Sequence, residues 1–256
     1  MDLELGGKRV VITGGSRGIG FSCAQGFARE GCALDLVATS AEALDKAVRQ
    51  LRGEGHADVT AHRADLSRRE AVEALRPLVA AADILVNNAG AIPGGGLQQI
   101  DAQRWRDAWE LKVMGYVDLT RIALDAMMTR GRGVIVNVIG VAGAAPRHDY
   151  ICGSTANAGL IAFTKAAGGY STQQGVRVVG VNPGPTETDR LVNLYKSRAA
   201  AAFGDESRWP ELLTNLPFGR PAHADEMADL VVFLASARAS YLSGLVIDAD
   251  GGAMYR

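Results

Sequence analysis

The sequence predicts a single α/β domain, a doubly wound and mostly parallel sheet with helices on both faces. Three observations predict it. Short apolar, β-branched runs alternate with helical stretches along the chain, which is how a parallel sheet with helical crossovers reads. The first run, Val10-Val11-Ile12, leads into the glycine-rich turn TGGSRGIG at 13–20 and then into a helix, the strand–turn–helix order that a phosphate-binding loop needs. The length of 256 residues suits one large domain with a full core.

The elements follow in order. Strand 10–13 (VVIT) opens the sheet, and a helix over 18–30 starts at the glycine turn. Strand 34–38 (LDLVA) precedes a helix over 41–52, and strand 59–62 (VTAH) precedes one over 68–81. Strand 84–87 (ILVN) runs into NNAG. The helix over 101–129 is marked by Trp105, Trp109, Tyr116, Leu119 and Ala123 at helical spacings of three, four and seven. Strand 134–138 (VIVNV), a helix over 153–173 and strand 176–181 (VRVVGV) continue the alternation. A helix over 224–236 and strand 245–247 (LVI) close it. The 183–223 stretch breaks the pattern, beginning NPGP and ending Pro217-Phe218-Gly219-Arg220-Pro221. A long excursion of this kind reads as a substrate lid, near 185–220, on a single domain spanning 1–256.

Composition excludes several function classes. The 27 basic and 28 acidic residues nearly cancel with no run of one sign, so neither nucleic acid nor a membrane surface is an expected partner. No apolar stretch is long enough to span a bilayer. The acidic start, MDLELGG, lacks the features of a signal peptide. Three cysteines, Cys23, Cys32 and Cys152, show no paired spacing. They fit free thiols in a reducing cytoplasm. The four histidines are scattered, and no metal site is expected.

In TGGSRGIG the glycines let the backbone turn tightly and approach phosphate oxygens, while the next helix presents free N–H groups and its positive dipole end. With NNAG at 87–90 and NPGPTET at 182–188 in this order, the chain resembles the short-chain dehydrogenase/reductase family, from about residue 6 to the YLSGLVIDADGG tail near 252. The resemblance implies a Rossmann-type fold, a bound nicotinamide dinucleotide, a small-molecule substrate and a homotetramer, with a dimer second. It assigns Gly14, Ser16, Arg17, Gly18, Ile19 and Gly20 to the phosphate loop. It places Asp65 and Leu66 by the adenine, and Asn88, Ala89 and Gly90 by the ribose. Pro183, Gly184, Thr186 and Thr188 would hold the nicotinamide amide and phosphates. At the end of the second strand an acid would bind the ribose hydroxyls of NAD. Here Ala38-Thr39-Ser40 carries none, and Arg17 offers a guanidinium to a 2′-phosphate. NADP is therefore the expected cofactor, with NAD the alternative, and Thr39 and Ser40 join the cofactor set. The helix at 153–169 is rich in small residues, among them Ala156, Ala158, Gly159, Ala162, Ala166 and Ala167, which permits close packing across an interface.

The family's catalytic residues are Asn, Ser, Tyr and Lys. Counting ten residues on from Gly143, and about thirty back from Pro183, places the tyrosine position at Gly153. The serine position is then Gly140, the lysine position Asn157 and the asparagine position Lys112. The lysine and asparagine types look exchanged, so a cation from another helix reaches the active-site floor. Lys112 shares the inward stripe of its helix, where a lysine needs a partner or loses its charge. Lys112, Asn157 and Tyr150, one helical turn before Gly153, are the candidate catalytic groups; His148, Asp149 and Cys152 are weaker ones. Two glycines also suggest room for a bulky, apolar substrate. The expected activity is transfer of a hydride between a nicotinamide and a carbonyl or secondary alcohol, with a non-standard proton path. The alternatives are a catalytically silent nucleotide-binding protein acting as sensor or oligomer partner, and a non-redox lyase or hydratase using Lys112 as base.

Overall fold

Side chains alternate between the two faces of a strand, and here both faces are apolar. From β1 (Arg9–Thr13), Val10 and Ile12 enter one core and Val11 enters the other. A sheet buried on both sides must be covered by helices on both sides. The computed structural model, which describes residues 2–255, has this architecture. Its remaining strands are β2 (Ala33–Ala38), β3 (Val59–Arg63), β4 (Ile84–Asn87), β5 (Gly133–Val138), β6 (Val176–Pro183) and β7 (Val246–Ala249). All pair in parallel, in the order β3-β2-β1-β4-β5-β6-β7.

One core packs α1 (Gly18–Arg29), α2 (Ala41–Gly53) and α9 (Ala224–Ala235) on the sheet through Phe27, Leu44, Leu51 and Val231. The other packs α3 (Arg69–Ala74), α4 (Arg76–Ala81) and α6 (Gly115–Arg130) through Val72, Val79, Leu119 and Met127. The helix α7 (Ile151–Ser171) sets Leu160 against Tyr116 and Ile139.

Four expectations are revised. The stretch 68–81 is two short helices, because Pro77 at the start of α4 cannot donate to the preceding turn. The stretch 101–129 is α5 (Ala102–Trp109), a π-helical segment Glu110–Met114, and then α6. Such bulges gather at functional sites. The helix expected from 153 begins at Ile151, so Gly153 lies in its first turn. The irregular 183–223 stretch contains a full helix, α8 (Asp189–Phe203), capped by the Thr188 hydroxyl, which accepts from the Leu191 N–H at 3.3 Å. Among the described residues no helix is long and apolar enough to cross a membrane, and no group of three or more His, Cys, Asp or Glu side chains is placed to hold a metal.

The strand order reverses between β1 and β4. In open parallel sheets the crevice at this switch point, beyond the carboxyl ends of the strands, is where ligands bind. The turns 13–20 and 87–90 meet there.

Candidate active site

The Thr13 hydroxyl ties these turns together. It accepts from the backbone N–H of Asn88 at 2.9 Å and of Ala89 at 3.1 Å. The Asn88 amide donates back to the carbonyls of Thr13, at 3.1 Å, and Gly14, at 3.3 Å. Asn88 thus braces the glycine loop. Glycine is required at position 20, where a Cβ would lie 2.2 Å from the Gly14 carbonyl oxygen and 2.5 Å from the Asn88 amide nitrogen. Gly14 and Gly18 have left-handed φ values of 65° and 55°. Thr188 packs over Gly18, bringing the 183–188 turn across the loop. Thr186 closes that turn on the Gly184 carbonyl, and Gly184 itself donates to Ala249. Ser16 and Ile19 lie half-buried in the loop.

At the other end of the crevice, Arg17 is exposed and its side chain caps nothing. Thr39 and Ser40 are exposed, and the Ser40 hydroxyl accepts from Ala43 as the cap of α2. Arg63, absent from the sequence-derived set, donates from Nε to the Thr39 carbonyl at 3.2 Å. Neither Arg17 nor Arg63 forms an ion pair among the described residues. Asp65 turns its carboxylate onto Ser67, while Leu66 is buried against Gly115.

The floor is built on buried polar side chains. Asn87 donates to Thr120 at 3.1 Å and to Asn137 at 2.9 Å, and Asn137 donates to Thr164 at 2.9 Å, linking β4, β5, α6 and α7. The π-helical segment turns Lys112 inward under Gly90, with Nζ donating to the Ile139 carbonyl at 2.6 Å. Lys112 is 5% exposed. Burial, followed by the charge of Arg190, lowers its pKa to about 7. Burial likewise pushes the Tyr116 phenol up; its hydroxyl donates to Val138.

The glycine positions are occupied by neighbours. Gly140 has φ 136°, and a Cβ there would lie 2.8 Å from the Asn157 amide nitrogen. Asn157 is buried, and its Oδ1 has no hydrogen-bond partner. A Cβ on Gly153 would lie 2.0 Å and 2.1 Å from two ring carbons of Tyr150. The Tyr150 ring therefore fills the volume that a side chain at 153 would enter, so Gly153 itself leaves no open space there. Tyr150 takes this pose because it precedes α7 with φ −145° and ψ 36°, outside the helix.

Arg190 is the functional candidate that sequence reasoning missed. From the first turn of α8 it donates Nη1 to the Gly90 carbonyl and Nη2 to the Tyr150 hydroxyl, each at 2.7 Å. Its signal is structural, because α8 lies within a stretch that reads as irregular in the sequence. A cation at a helix N-terminus opposes the macrodipole, so a basic residue there needs a separate reason. The weaker candidates lie apart from this junction. Asp149 is ion-paired with Arg147 at 2.9 Å and Arg198 at 3.1 Å, and the Arg147 hydrogen bond holds its carboxyl below the usual range. His148 packs on Gly96. Cys152 is buried, and burial pushes its thiol up.

The buried Lys112 leads to a stability prediction. Between about pH 7 and the ordinary lysine range near ~10, the unfolded chain keeps this proton while the folded chain has released it. Stability therefore rises with pH across that window. Below it both states are protonated, and the cost of burying the charge is constant and complete. Denaturant unfolding of wild type and Lys112→Met should show the difference moving in favour of wild type from pH 7 upwards, and level below. A difference level at every pH would mean that Lys112 keeps its proton in the fold.

Comparisons with known proteins agree with this fold. A family model described as short chain dehydrogenase matches residues 8–199. Cis-4-hydroxycyclohexanecarboxylate dehydrogenase of Sinomonas cyclohexanicum is 33% identical over 94% of both chains. The 3-oxoacyl-acyl-carrier-protein reductase of Vibrio harveyi is 32% identical over 98% of both. The crystal structure of L-sorbose reductase from Gluconobacter frateurii, complexed with NADPH and L-sorbose, superposes with a TM-score of 0.89 at 33% identity, covering 98% of both chains.

Proposed function

This chain belongs to the short chain dehydrogenase family, and we propose that it is an NADP-preferring oxidoreductase in which Tyr150 takes the proton-transfer role at a site lacking the usual Asn-Ser-Tyr-Lys set. One observation carries the reading: the Tyr150 ring occupies the side-chain volume of Gly153, with its hydroxyl on Arg190 beside Gly90.

The residues present fit a nicotinamide dinucleotide. The cradle formed by Gly14, Gly18 and Gly20 has no room for a Cβ at position 20, and the N-terminus of α1 opens onto it. The unpartnered Oδ1 of buried Asn157 is an acceptor awaiting a donor such as a sugar hydroxyl. Arg17 and Arg63, with no acid at 38–40, suit a 2′-phosphate. The NADPH of the sorbose reductase complex supports the same preference. When bound, the nicotinamide supplies or accepts a hydride.

The chain's own residues manage the proton. In the reducing direction the Tyr150 hydroxyl donates its proton to the carbonyl oxygen of the substrate, which becomes an alcohol. Arg190, already donating to the tyrosyl oxygen, stabilises the negative charge left there, and solvent at this exposed edge returns the proton. Oxidation runs the same transfers in reverse. Lys112 is a positioning residue that fixes the Ile139 carbonyl and the floor beneath Gly90. The segment from 185 to 220 acts as a lid, held over the site by Arg190 and by Arg198 on Asp149. A homotetramer, with a dimer second, and a cytoplasmic location complete the reading. They rest on the small residues that α7 leaves exposed, Ala158, Gly159 and Ala162, and on free cysteines.

Titration with NADPH and NADH, followed by nicotinamide fluorescence, tests this. A charge-assisted hydrogen bond is worth about 1.5–3 kcal/mol, so NADPH should bind about 10- to 100-fold more tightly than NADH. Gly20→Val, which drives a side chain into the Gly14 carbonyl, should abolish binding of both. Binding of neither nucleotide to the wild type would refute the oxidoreductase reading.

A further inference from the structure

Arg190 is a guanidinium without an opposing charge. Its partners are two neutral oxygens, the Gly90 carbonyl and the Tyr150 hydroxyl, and it forms no ion pair among the described residues. The acids around it are committed elsewhere or do not reach it. Asp149 is held by Arg147 and Arg198, Glu187 pairs with His223 at 3.1 Å, and Asp189 makes no ion pair. Beneath it, Lys112 also lacks a carboxylate, and the charge of Arg190 is one cause of its lowered pKa. No acid thus stands between Arg190 and the buried Lys112 side chain beneath it. A guanidinium with no acid against it receives an anion through charge-assisted, bidentate hydrogen bonds.

We propose that this anion is the substrate's own carboxylate, and that the substrate is a short oxo acid or hydroxy acid whose carboxylate is received by Arg190 while its carbonyl or hydroxyl meets Tyr150. The spacing fixes how close the two groups must be. Arg190 Nη2 lies 2.7 Å from the Tyr150 hydroxyl, so a substrate bonded to both carries its carboxylate next to, or one carbon removed from, the reacting carbon. A guanidinium has five N–H donors. Two are in use here, leaving three for a carboxylate, which accepts such a fork in a bidentate manner. Arg190 is exposed at the crevice mouth, where an arriving anion meets it first. The inference rests on the proposed oxidoreductase site and narrows its substrate class.

The test measures binding alone, separately from turnover. The full-length protein, saturated with NADP⁺, is titrated calorimetrically with 2-oxo and 3-oxo acids of increasing chain length and with their methyl esters. The esters keep the carbonyl and remove the charge. At least one acid should bind about 10-fold or more tightly than its ester. Arg190→Gln should bring that acid and its ester to equal affinity, and Arg190→Lys, which keeps the charge without the fork, should retain part of the preference. If no acid in the series outbinds its ester, or if Arg190→Gln leaves the preference intact, the proposal is overturned. Normal NADP⁺ binding alongside either result would leave the oxidoreductase reading standing, whereas failure to bind NADP⁺ would remove both.

Discussion

Replacing Tyr150 with phenylalanine should lower kcat by about 10²–10⁴, a barrier increase of roughly 3–5 kcal/mol, while leaving nucleotide affinity within a few-fold of wild type. The substitution removes one oxygen and keeps the ring. Gly153 therefore stays covered and the floor keeps its shape, since the ring carbons rather than the hydroxyl contact that position. The effect is on the proton alone. Without the phenol, reduction of a carbonyl leaves an alkoxide that only water protonates. Arg190 loses a neutral acceptor at 2.7 Å but keeps Gly90, so the fold should hold. Steady-state rates with a reducible carbonyl compound, paired with NADPH titration, separate the two effects. A Phe variant retaining more than about a tenth of wild-type turnover would exclude Tyr150 as the donor, because general acid help of the usual size would then be missing. Lys112 would be the next group to vary, being the remaining proton-bearing side chain at the floor.

The sheet was legible because its strands are apolar on both faces and are punctuated by long helical crossovers. All seven strand positions follow from such runs, with ends differing by two residues or fewer. Less visible were features set by backbone geometry rather than side-chain type. The heptad-like spacing of Trp105, Trp109, Tyr116 and Leu119 reads as one helix, and it continues through the π-helical segment at Glu110–Met114, where the backbone pairing changes without a marker residue. The α8 sequence was obscured by the turn residues on either side of it. The glycine turn behind the candidate cofactor crevice was legible because such turns have few other uses at that place in a strand–turn–helix unit. The geometry around the candidate proton site was only half legible. That Lys112 points inward follows from helical spacing, and the structure buries it. That a glycine at 153 means empty space does not follow, because close packing draws the nearest flexible side chain into any gap. Tyr150 reaches that gap only because it lies outside the helix, a backbone detail that spacing along the sequence does not encode.

Gly153→Tyr, the substitution that in the proposed register would rebuild the family's tyrosine on the helix, is expected to damage this protein. If Gly153 marked a merely vacated position, a tyrosine there would restore activity. In this structure the first atom of any side chain at 153 meets the Tyr150 ring at 2.0–2.1 Å, far inside van der Waals contact. The two rings cannot share the site, so Tyr150 must leave it. Its departure removes the Arg190 contact and loosens the 147–150 turn, which Gly95 pairs with at Tyr150 and Asp149. Overpacking of this kind typically costs about 1–3 kcal/mol of stability, and the single variant should lose most of its turnover as well. A compensating pair distinguishes steric conflict from general intolerance. Tyr150→Gly with Gly153→Tyr empties one position as it fills the other, so it should recover stability relative to Gly153→Tyr alone. It should recover activity only in part, because in the proposed register Asn157 takes the place of the lysine that would steady the new phenol. Urea unfolding and turnover measured on the three variants would decide it. A Gly153→Tyr protein as stable and as active as wild type would show that Tyr150 does not hold that volume in solution, and the relocated-donor reading would fall with it.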